Sequence, residues 1–174
     1  MRCDLNLDAG FALRPADSSD APRIALWMAQ PHVQRWWLQD WSVERWAQEI
    51  EQQAAGVHSA PCVAFVDAEE FGYVELYRVR HDQLAEYYAY EENDWGMHVA
   101  IGDVTRVGHG LGRRLLRSLA DALLDADPSC SRVVAEPDLE NTPSVRAFGA
   151  AGFEASGELQ LPDKKALLMV RRRQ

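Results

Sequence analysis

Cysteine is scarce in this sequence: three residues, Cys3, Cys62 and Cys130, occur among 174. Because their number is odd and they lie far apart, neither a disulfide framework nor a zinc site is expected. No apolar run approaches the roughly 20 residues of a membrane span, and the first residues lack the apolar core of a signal peptide. We therefore expect one globular domain over residues 1–174, in the cytoplasm, with no membrane partner.

Basic residues are also in deficit, since 18 Lys and Arg stand against 27 Asp and Glu, for a net charge of −9. This balance argues against a nucleic-acid partner, whose phosphates attract basic surfaces. The charge is uneven: residues 67–103 hold ten acidic residues against two arginines, and residues 163–174 hold five basic residues against one aspartate. An acidic site for a cationic substrate and a basic patch for an anionic cofactor are one interpretation, and ordinary solvated faces are the other.

Internal repeats and flexible linkers are absent, and the hydrophobic pattern predicts alternating elements. The predicted order is β-α-α-β-β-β-α-β-α-β-β, which indicates an α/β domain with a mixed central sheet flanked by helices. Predicted strands cover 11–14, 62–67, 72–79, 95–101, 131–136, 153–161 and 166–171. Predicted helices cover 17–30 with Ser18 or Ser19 as cap, 42–56, about 111–126, and 142–152 with Thr142 as cap.

A glycine-rich turn, Gly108-His109-Gly110-Leu111-Gly112, links the strand at 95–101 to the next helix. Such a turn presents backbone N–H groups and the positive end of the helix dipole to an anion. It is not a Walker A motif, because Arg113-Arg114 follows where Lys and Ser or Thr are required. Nor is it the dinucleotide fingerprint of a first βα unit. Alone, the turn is as consistent with an ordinary tight turn as with an anion site.

The chain resembles the GNAT superfamily of acyl-CoA N-acyltransferases from about Phe11 to Arg171, in GHGLGRRLL at 108–116, EPD at 136–138, Asn141 and GF at 152–153. The resemblance implies that the turn holds the pyrophosphate of an acyl-CoA, above all acetyl-CoA, without a metal. Val107 departs from the family, which usually has Gln or Arg there. The implied cofactor-binding residues are Val99, Ile101, Val107, Gly108, His109, Gly110, Leu111, Gly112, Arg113 and Asn141.

A narrower resemblance is to the siderophore-biosynthesis branch, carried by WGMHVAIGD at 95–103, EPDLEN at 136–141 and LPDKKALLM at 161–169, with 31–33 and 72–77. Those enzymes acylate an N-hydroxylated amine to make a hydroxamate. The implied substrate is N6-hydroxylysine, N5-hydroxyornithine or N-hydroxycadaverine, and the implied partners are other siderophore-assembly enzymes. The resemblance implies catalytic roles for His98 and Asp138, although Asp138 also suits a turn.

The chemistry of the nucleophile fits a single base. A primary ammonium, with a pKa near 10.4, must be deprotonated before it attacks, whereas a hydroxylamine nitrogen is already neutral. A histidine then suffices to take the proton released in the reaction. Many GNAT enzymes place a Tyr where Phe148 stands, to protonate the leaving thiolate, so we expect no side-chain acid here.

Aromatic and acidic residues are candidates for the acceptor site. The resemblance implies that the segment between the first two helices covers this site, and we predict substrate binding by Trp36, Trp37, Glu75 and Tyr77. One alternative is an aminoglycoside-type N-acetyltransferase, whose polycationic substrates suit the acidic stretch. Another is a non-catalytic acyl-CoA-binding module.

Overall fold

The computed structural model describes residues 5–8 and 10–173. Its helices are α1 (Ala21–Met28), α2 (Pro31–Trp37), α3 (Val43–Ala55), α4 (Leu111–Ala126) and α5 (Thr142–Ala150). Its strands are β1 (Phe11–Pro15), β2 (Ser59–Val66), β3 (Glu69–Arg78), β4 (Trp95–Ile101), β5 (Arg132–Ala135), β6 (Glu154–Gln160) and β7 (Lys165–Arg172). The predicted α/β order is confirmed, except that a further short helix, α2, follows α1.

The described strands form one mixed sheet in the order β1-β2-β3-β4-β5-β7-β6. Strand β1 pairs antiparallel with β2, and β7 pairs antiparallel with both β5 and β6. Strand β5 runs parallel to β4, with Trp95 opposite Val133. Helix α4 lies between these two strands in sequence, as a parallel pair requires a long crossover connection. The predicted mixed sheet is therefore confirmed.

Two helix starts differ from the prediction. Asp17, rather than Ser18 or Ser19, caps the first helical turn: its Oδ1 accepts from the Ser19 N–H at 2.8 Å, and Asp20 accepts from the Asp17 N–H. Asn141, rather than Thr142, caps α5, because its Oδ1 accepts from the Ser144 N–H at 3.2 Å. In both cases the side chain that reaches the free N–H groups lies one residue earlier in the chain.

The β2–β3 hairpin turns earlier than predicted. Asp67 and Ala68 have φ of +51° and +67°, which is the left-handed geometry that matches the twist of a two-residue hairpin. The turn is therefore at 67–68, and the strand that was predicted to begin at 72 begins at Glu69.

Two compact units make up the chain. The first unit extends to Leu76 and includes His98–His109, and its core includes Ile24, Trp46, Ile50 and Tyr73. The second unit comprises Tyr77–Met97 and the chain from Gly110 onward, with a cluster that includes Tyr77, Val79, Leu84, Val134, Leu168 and Val170.

Cys130 is buried with a free thiol. Cys62 is disulfide-bonded, so the expectation that the cysteines form no disulfide is wrong for this residue. Over residues 5–8 and 10–173, no helix combines the length and apolarity needed to cross a bilayer.

Candidate active site

His98 and Glu75 form the centre of the candidate site in the first unit. His98 lies on β4, and its Nδ1 is 3.2 Å from the Oε2 of Glu75 on β3. The His98 side chain is 32% exposed and that of Glu75 is 14% exposed. The imidazole is therefore accessible to a small molecule, while its carboxylate partner is largely shielded from water.

Two further donors hold the Glu75 carboxylate. Tyr73 Oη donates to Oε1 at 2.9 Å, and Gln53 Nε2 on α3 donates to the same oxygen at 3.2 Å. Burial acts to raise the pKa of Glu75, but the hydrogen bond and charge of His98, with the bonds from Gln53 and Tyr73, lower it below its ordinary value. Glu75 is therefore an anion at neutral pH.

Aromatic rings surround this pair. Trp37, at the end of α2, stands edge-on to His98 with ring centroids 5.8 Å apart, and it also contacts Tyr73 at 6.0 Å. The guanidinium carbon of Arg35 lies 4.7 Å from the ring centroid of Trp36. Of the two predicted acceptor-binding tryptophans, Trp37 is thus the one in contact with His98.

The glycine turn has the backbone that an anion site needs. Gly108 and Gly110 have φ of +84° and +77°, a conformation that side-chain-bearing residues rarely adopt. A Cβ on Gly108 would meet no described atom within 4 Å, and one on Gly110 would meet only Arg113 Nη2, at 3.9 Å. Gly110 is also the N-cap of the 16-residue helix α4 and supplies no side-chain cap. Open space, uncapped N–H groups and a nearby guanidinium suit the phosphates of coenzyme A.

The other predicted cofactor-binding residues are distributed as follows. Val99 and Ile101 lie half-buried on β4, Leu111 and Gly112 are half-buried in the first turn of α4, and Val107 and His109 are exposed before it. Asn141 uses its side chain to cap α5. Arg106, next to Val107, pairs with Glu69. The guanidinium that precedes the turn is therefore engaged within the protein, whereas Arg113 follows the turn in the first residues of α4 and lies near Gly110.

Tyr77 and Asp138 lie in the second unit. Tyr77 is buried and its hydroxyl donates to Glu136 Oε2 at 3.0 Å, while Lys164 Nζ lies 3.6 Å from Glu136 Oε1. The half-buried Asp138 accepts from the backbone N–H of Glu140 at 2.8 Å, as a turn carboxylate does. The predicted roles of Tyr77 in substrate binding and of Asp138 in catalysis remain predictions.

Phe148 is buried in the second unit, 5% exposed, and packs edge-to-face on Phe153 with ring centroids 5.1 Å apart. Phe148 stands where many GNAT enzymes carry a tyrosine, and this position is therefore part of an apolar contact without a hydroxyl. Over residues 5–8 and 10–173, no group of three or more His, Cys, Asp or Glu side chains is arranged to hold a metal.

Sequence reasoning missed Gln53 and the bond from Tyr73 to Glu75. Alternation along β3 does place Tyr73 and Glu75 on one face, so this contact had a signal. No sequence pattern marked Gln53, because a glutamine on an amphipathic helix is common. Only the packing of α3 brings its amide to the Glu75 carboxylate.

The acetyltransferase (GNAT) domain family matches residues 17–161. The lysine N-acyltransferase MbtK of Mycolicibacterium paratuberculosis is 36% identical over 163 residues, which are 94% of this chain and 74% of that protein. An N-hydroxyputrescine acetyltransferase of Acinetobacter baumannii is 28% identical, over 86% of this chain and 71% of that protein. An aminoglycoside N(6')-acetyltransferase of Klebsiella pneumoniae is 27% identical, over 97% of this chain and 86% of that protein.

Solved structures show the same fold. An uncharacterized protein from Bacillus halodurans superposes with a TM-score of 0.89 at 28% identity, over 97% of this chain and 89% of that one. The aminoglycoside acetyltransferase AAC(6')-Ib, in complex with ribostamycin and coenzyme A, superposes with a TM-score of 0.86 at 24% identity, over 94% of each chain. The chain belongs to the GNAT family and is an acyl-CoA-dependent N-acyltransferase.

Proposed function

We propose that this enzyme transfers an acyl group from acyl-CoA, above all acetyl-CoA, to the nitrogen of an N-hydroxylated amine. The product is a hydroxamate for siderophore assembly, and the acceptor is of the N6-hydroxylysine, N5-hydroxyornithine or N-hydroxycadaverine type. The observation that carries the proposal is the accessible His98 imidazole held 3.2 Å from the largely shielded Glu75 carboxylate.

Bound acyl-CoA supplies an acyl group activated as a thioester. The turn at 108–112 binds its phosphates through the N–H groups at the start of α4 and through Arg113. His98 accepts the proton that the acceptor nitrogen loses when the new N–C bond forms. The imidazolium produced is stabilised by Glu75, an anion in a shielded setting.

A site with one side-chain base, His98, and no side-chain acid at position 148 suits an N-hydroxylated acceptor. A hydroxylamine nitrogen is neutral at pH 7, whereas only about one primary amine in two thousand is. At the position of the family tyrosine, the buried Phe148 provides no proton donor, and a thiolate leaves readily without one. The relative named N-hydroxyputrescine acetyltransferase supports the same acceptor class.

An aminoglycoside acceptor is the second candidate, supported by the relative from K. pneumoniae. From the sequence alone, the acidic residues in 67–103 suit a polycationic aminoglycoside. Ion pairs within the protein weaken that argument. Six of the ten acidic residues in 67–103 lie within 4 Å of an arginine side chain: Glu69, Glu70, Glu91, Glu92, Asp94 and Asp103. More than half of the acidic stretch is therefore paired with arginines of the protein itself.

The test is a thiol-release assay with acetyl-CoA and matched acceptors. N6-hydroxylysine and lysine differ by one oxygen, and we expect at least about tenfold higher kcat/KM for the hydroxylated member, since its nitrogen needs no prior deprotonation. N-hydroxyornithine, N-hydroxycadaverine and kanamycin complete the panel. Faster turnover of kanamycin than of every hydroxylamine would establish the second candidate. Tight coenzyme A binding without turnover of any acceptor would contradict both.

A further inference from the structure

Glu75 was predicted to bind substrate, yet its two oxygens face other groups of the protein. Oε2 faces His98 Nδ1, and Oε1 accepts from both Tyr73 and Gln53. We propose that Glu75 is a positioning residue that fixes the tautomer and orientation of His98, so that the proton sits on Nδ1 and the lone pair that serves as base sits on Nε2. This assignment rests on the proposed function, in which His98 is the base.

Gln53 has only one amide orientation that suits its neighbours. Its Nε2 lies 3.1 Å from Glu49 Oε1 and 3.2 Å from Glu75 Oε1. The reversed amide would place its oxygen against two carboxylates, which accept but do not donate when ionised. Gln53 is therefore a donor to Glu75.

Tyr73 is a donor for a separate reason. It is fully buried, and burial followed by the nearby Glu75 charge raises the pKa of its phenol far above the ordinary value. The hydroxyl thus keeps its proton at every pH at which the enzyme is folded, and that proton points to Glu75 Oε1. With two donors on one oxygen, the carboxylate is held as an anion in a fixed orientation.

The proton on Nδ1 of His98 follows from its contact with Glu75. An ionised carboxylate only accepts, so the ring nitrogen 3.2 Å from it must be the N–H donor. A neutral imidazole carries one proton, so in neutral His98 the lone pair is on Nε2. When Nε2 takes the proton of the acceptor, both ring nitrogens become donors and the new positive charge faces the anion of Glu75. An orienting carboxylate of this kind acts through the histidine and does not itself take up the proton.

The main test is Glu75→Gln, which preserves size but removes the charge and the requirement for an Nδ1 proton. We expect kcat to fall about 10- to 1,000-fold while acyl-CoA affinity stays unchanged, because a wrong tautomer or an unstabilised imidazolium disables the base. Glu75→Asp keeps the anion and should recover part of that loss. Glu70→Gln is the matched control on the same strand, since Glu70 pairs with Arg14 and Arg23, away from His98. It should retain the parental kcat.

Two readouts separate positioning from a purely structural role. In ¹⁵N NMR of the free parent enzyme at high pH, neutral His98 should carry its proton on Nδ1. In a double-mutant cycle, Glu75→Gln should add no further loss of kcat to His98→Ala, because a residue that acts only through His98 has nothing left to act on. Tyr73→Phe, which removes one of the two donors to Oε1, should give a smaller loss than Glu75→Gln.

The outcomes distinguish the two proposals. An Nε2–H tautomer in the parent enzyme, or a Glu75→Gln variant with at least half the parental kcat, would overturn the positioning role even if His98→Ala is inactive. Additive losses in the cycle would overturn it as well. If His98→Ala keeps its turnover, the proposed base is wrong, and the positioning proposal falls with it.

Discussion

Trp37 meets His98 edge-on, with ring centroids 5.8 Å apart and ring planes at 77°. The indole is itself held, because its Nε1 donates to Gln39 Oε1 at 2.8 Å and its ring contacts Tyr73. Helix α2, which the sequence did not predict, is therefore the element that brings an aromatic ring against the candidate base.

Replacing Trp37 tests this contact. Trp37→Leu should lower kcat/KM for the acceptor about two- to tenfold, since an edge-to-face pair is worth about 0.5–1.5 kcal/mol, and should leave acyl-CoA affinity unchanged. Steady-state kinetics and calorimetry measure the two effects. Trp36→Leu is the matched comparison, because that ring lies beside Arg35 instead. A larger loss of kcat/KM in Trp36→Leu than in Trp37→Leu would show that Trp36, and not Trp37, contacts the acceptor.

His98→Ala should lower kcat by about 10²–10⁴-fold, the usual cost of losing a positioned general base. The parent's rate should rise with pH as the base loses its proton, and this limb should vanish in the variant. Titration of the free hydroxylamine by NMR tells its own ionisation from that of the enzyme. More than about a third of the parental kcat, with the limb intact, would show that His98 is a structural residue.

Gly110→Val should raise the dissociation constant of coenzyme A at least about tenfold, because a branched side chain is strained at φ +77° and blocks approach to the N–H groups of α4. Calorimetry gives the affinity, and circular dichroism verifies the fold. Gly149→Ala, in α5, where a Cβ meets nothing within 4 Å, is the control glycine substitution. Unchanged affinity in folded Gly110→Val would remove the turn from the cofactor site.

Phe148→Tyr should leave kcat within a few-fold of the parent, because the proposed reaction uses no side-chain acid. Phe153→Tyr introduces the same hydroxyl into the other ring of the pair and so controls for the cost of burying it. A large gain in kcat confined to Phe148→Tyr would mean that protonation of the leaving thiolate limits the natural enzyme.

Asp127 should contribute to stability in a defined pH window. Burial acts to raise its pKa, but bonds from Ser129, Arg78 and Trp95 lower it to about 2 from an unfolded value of 3.8. A folded-state pKa below the unfolded value gives stability that is present above about pH 4 and is lost as pH falls toward 2. Urea unfolding of Asp127→Asn should show a smaller loss over that window than the parent, whereas exposed Asp125→Asn should behave as the parent does. Equal pH slopes in all three proteins would contradict this.

The local elements could be predicted from the sequence, because caps, turns and hydrophobic periodicity act between near neighbours. Helix α3 runs from its Ser42 cap to Gly56, β4 occupies 95–101, and α4 ends at Ala126, all as predicted. Short-range chemistry of this kind also marked the glycine turn, whereas His98 was marked by the resemblance to the siderophore branch. The prediction placed the caps of the first helical turn and of α5 too late in the chain, where several side chains able to cap stand close together. It also missed helix α2.

The roles of Glu75 and of the acidic stretch depend on contacts that form only when the chain is folded. Alternation places Glu75 on a strand face, but nothing local joins it to Gln53 on α3 or to His98 on β4. Likewise, Glu70 forms ion pairs with Arg14 and Arg23, which are distant from it in the sequence. Net charge counts these carboxylates as free, whereas hydrogen bonds and ion pairs form between groups that packing brings within about 3 Å. The chemistry of each acidic residue was therefore set by its neighbours in space, which the order of residues along the chain does not give.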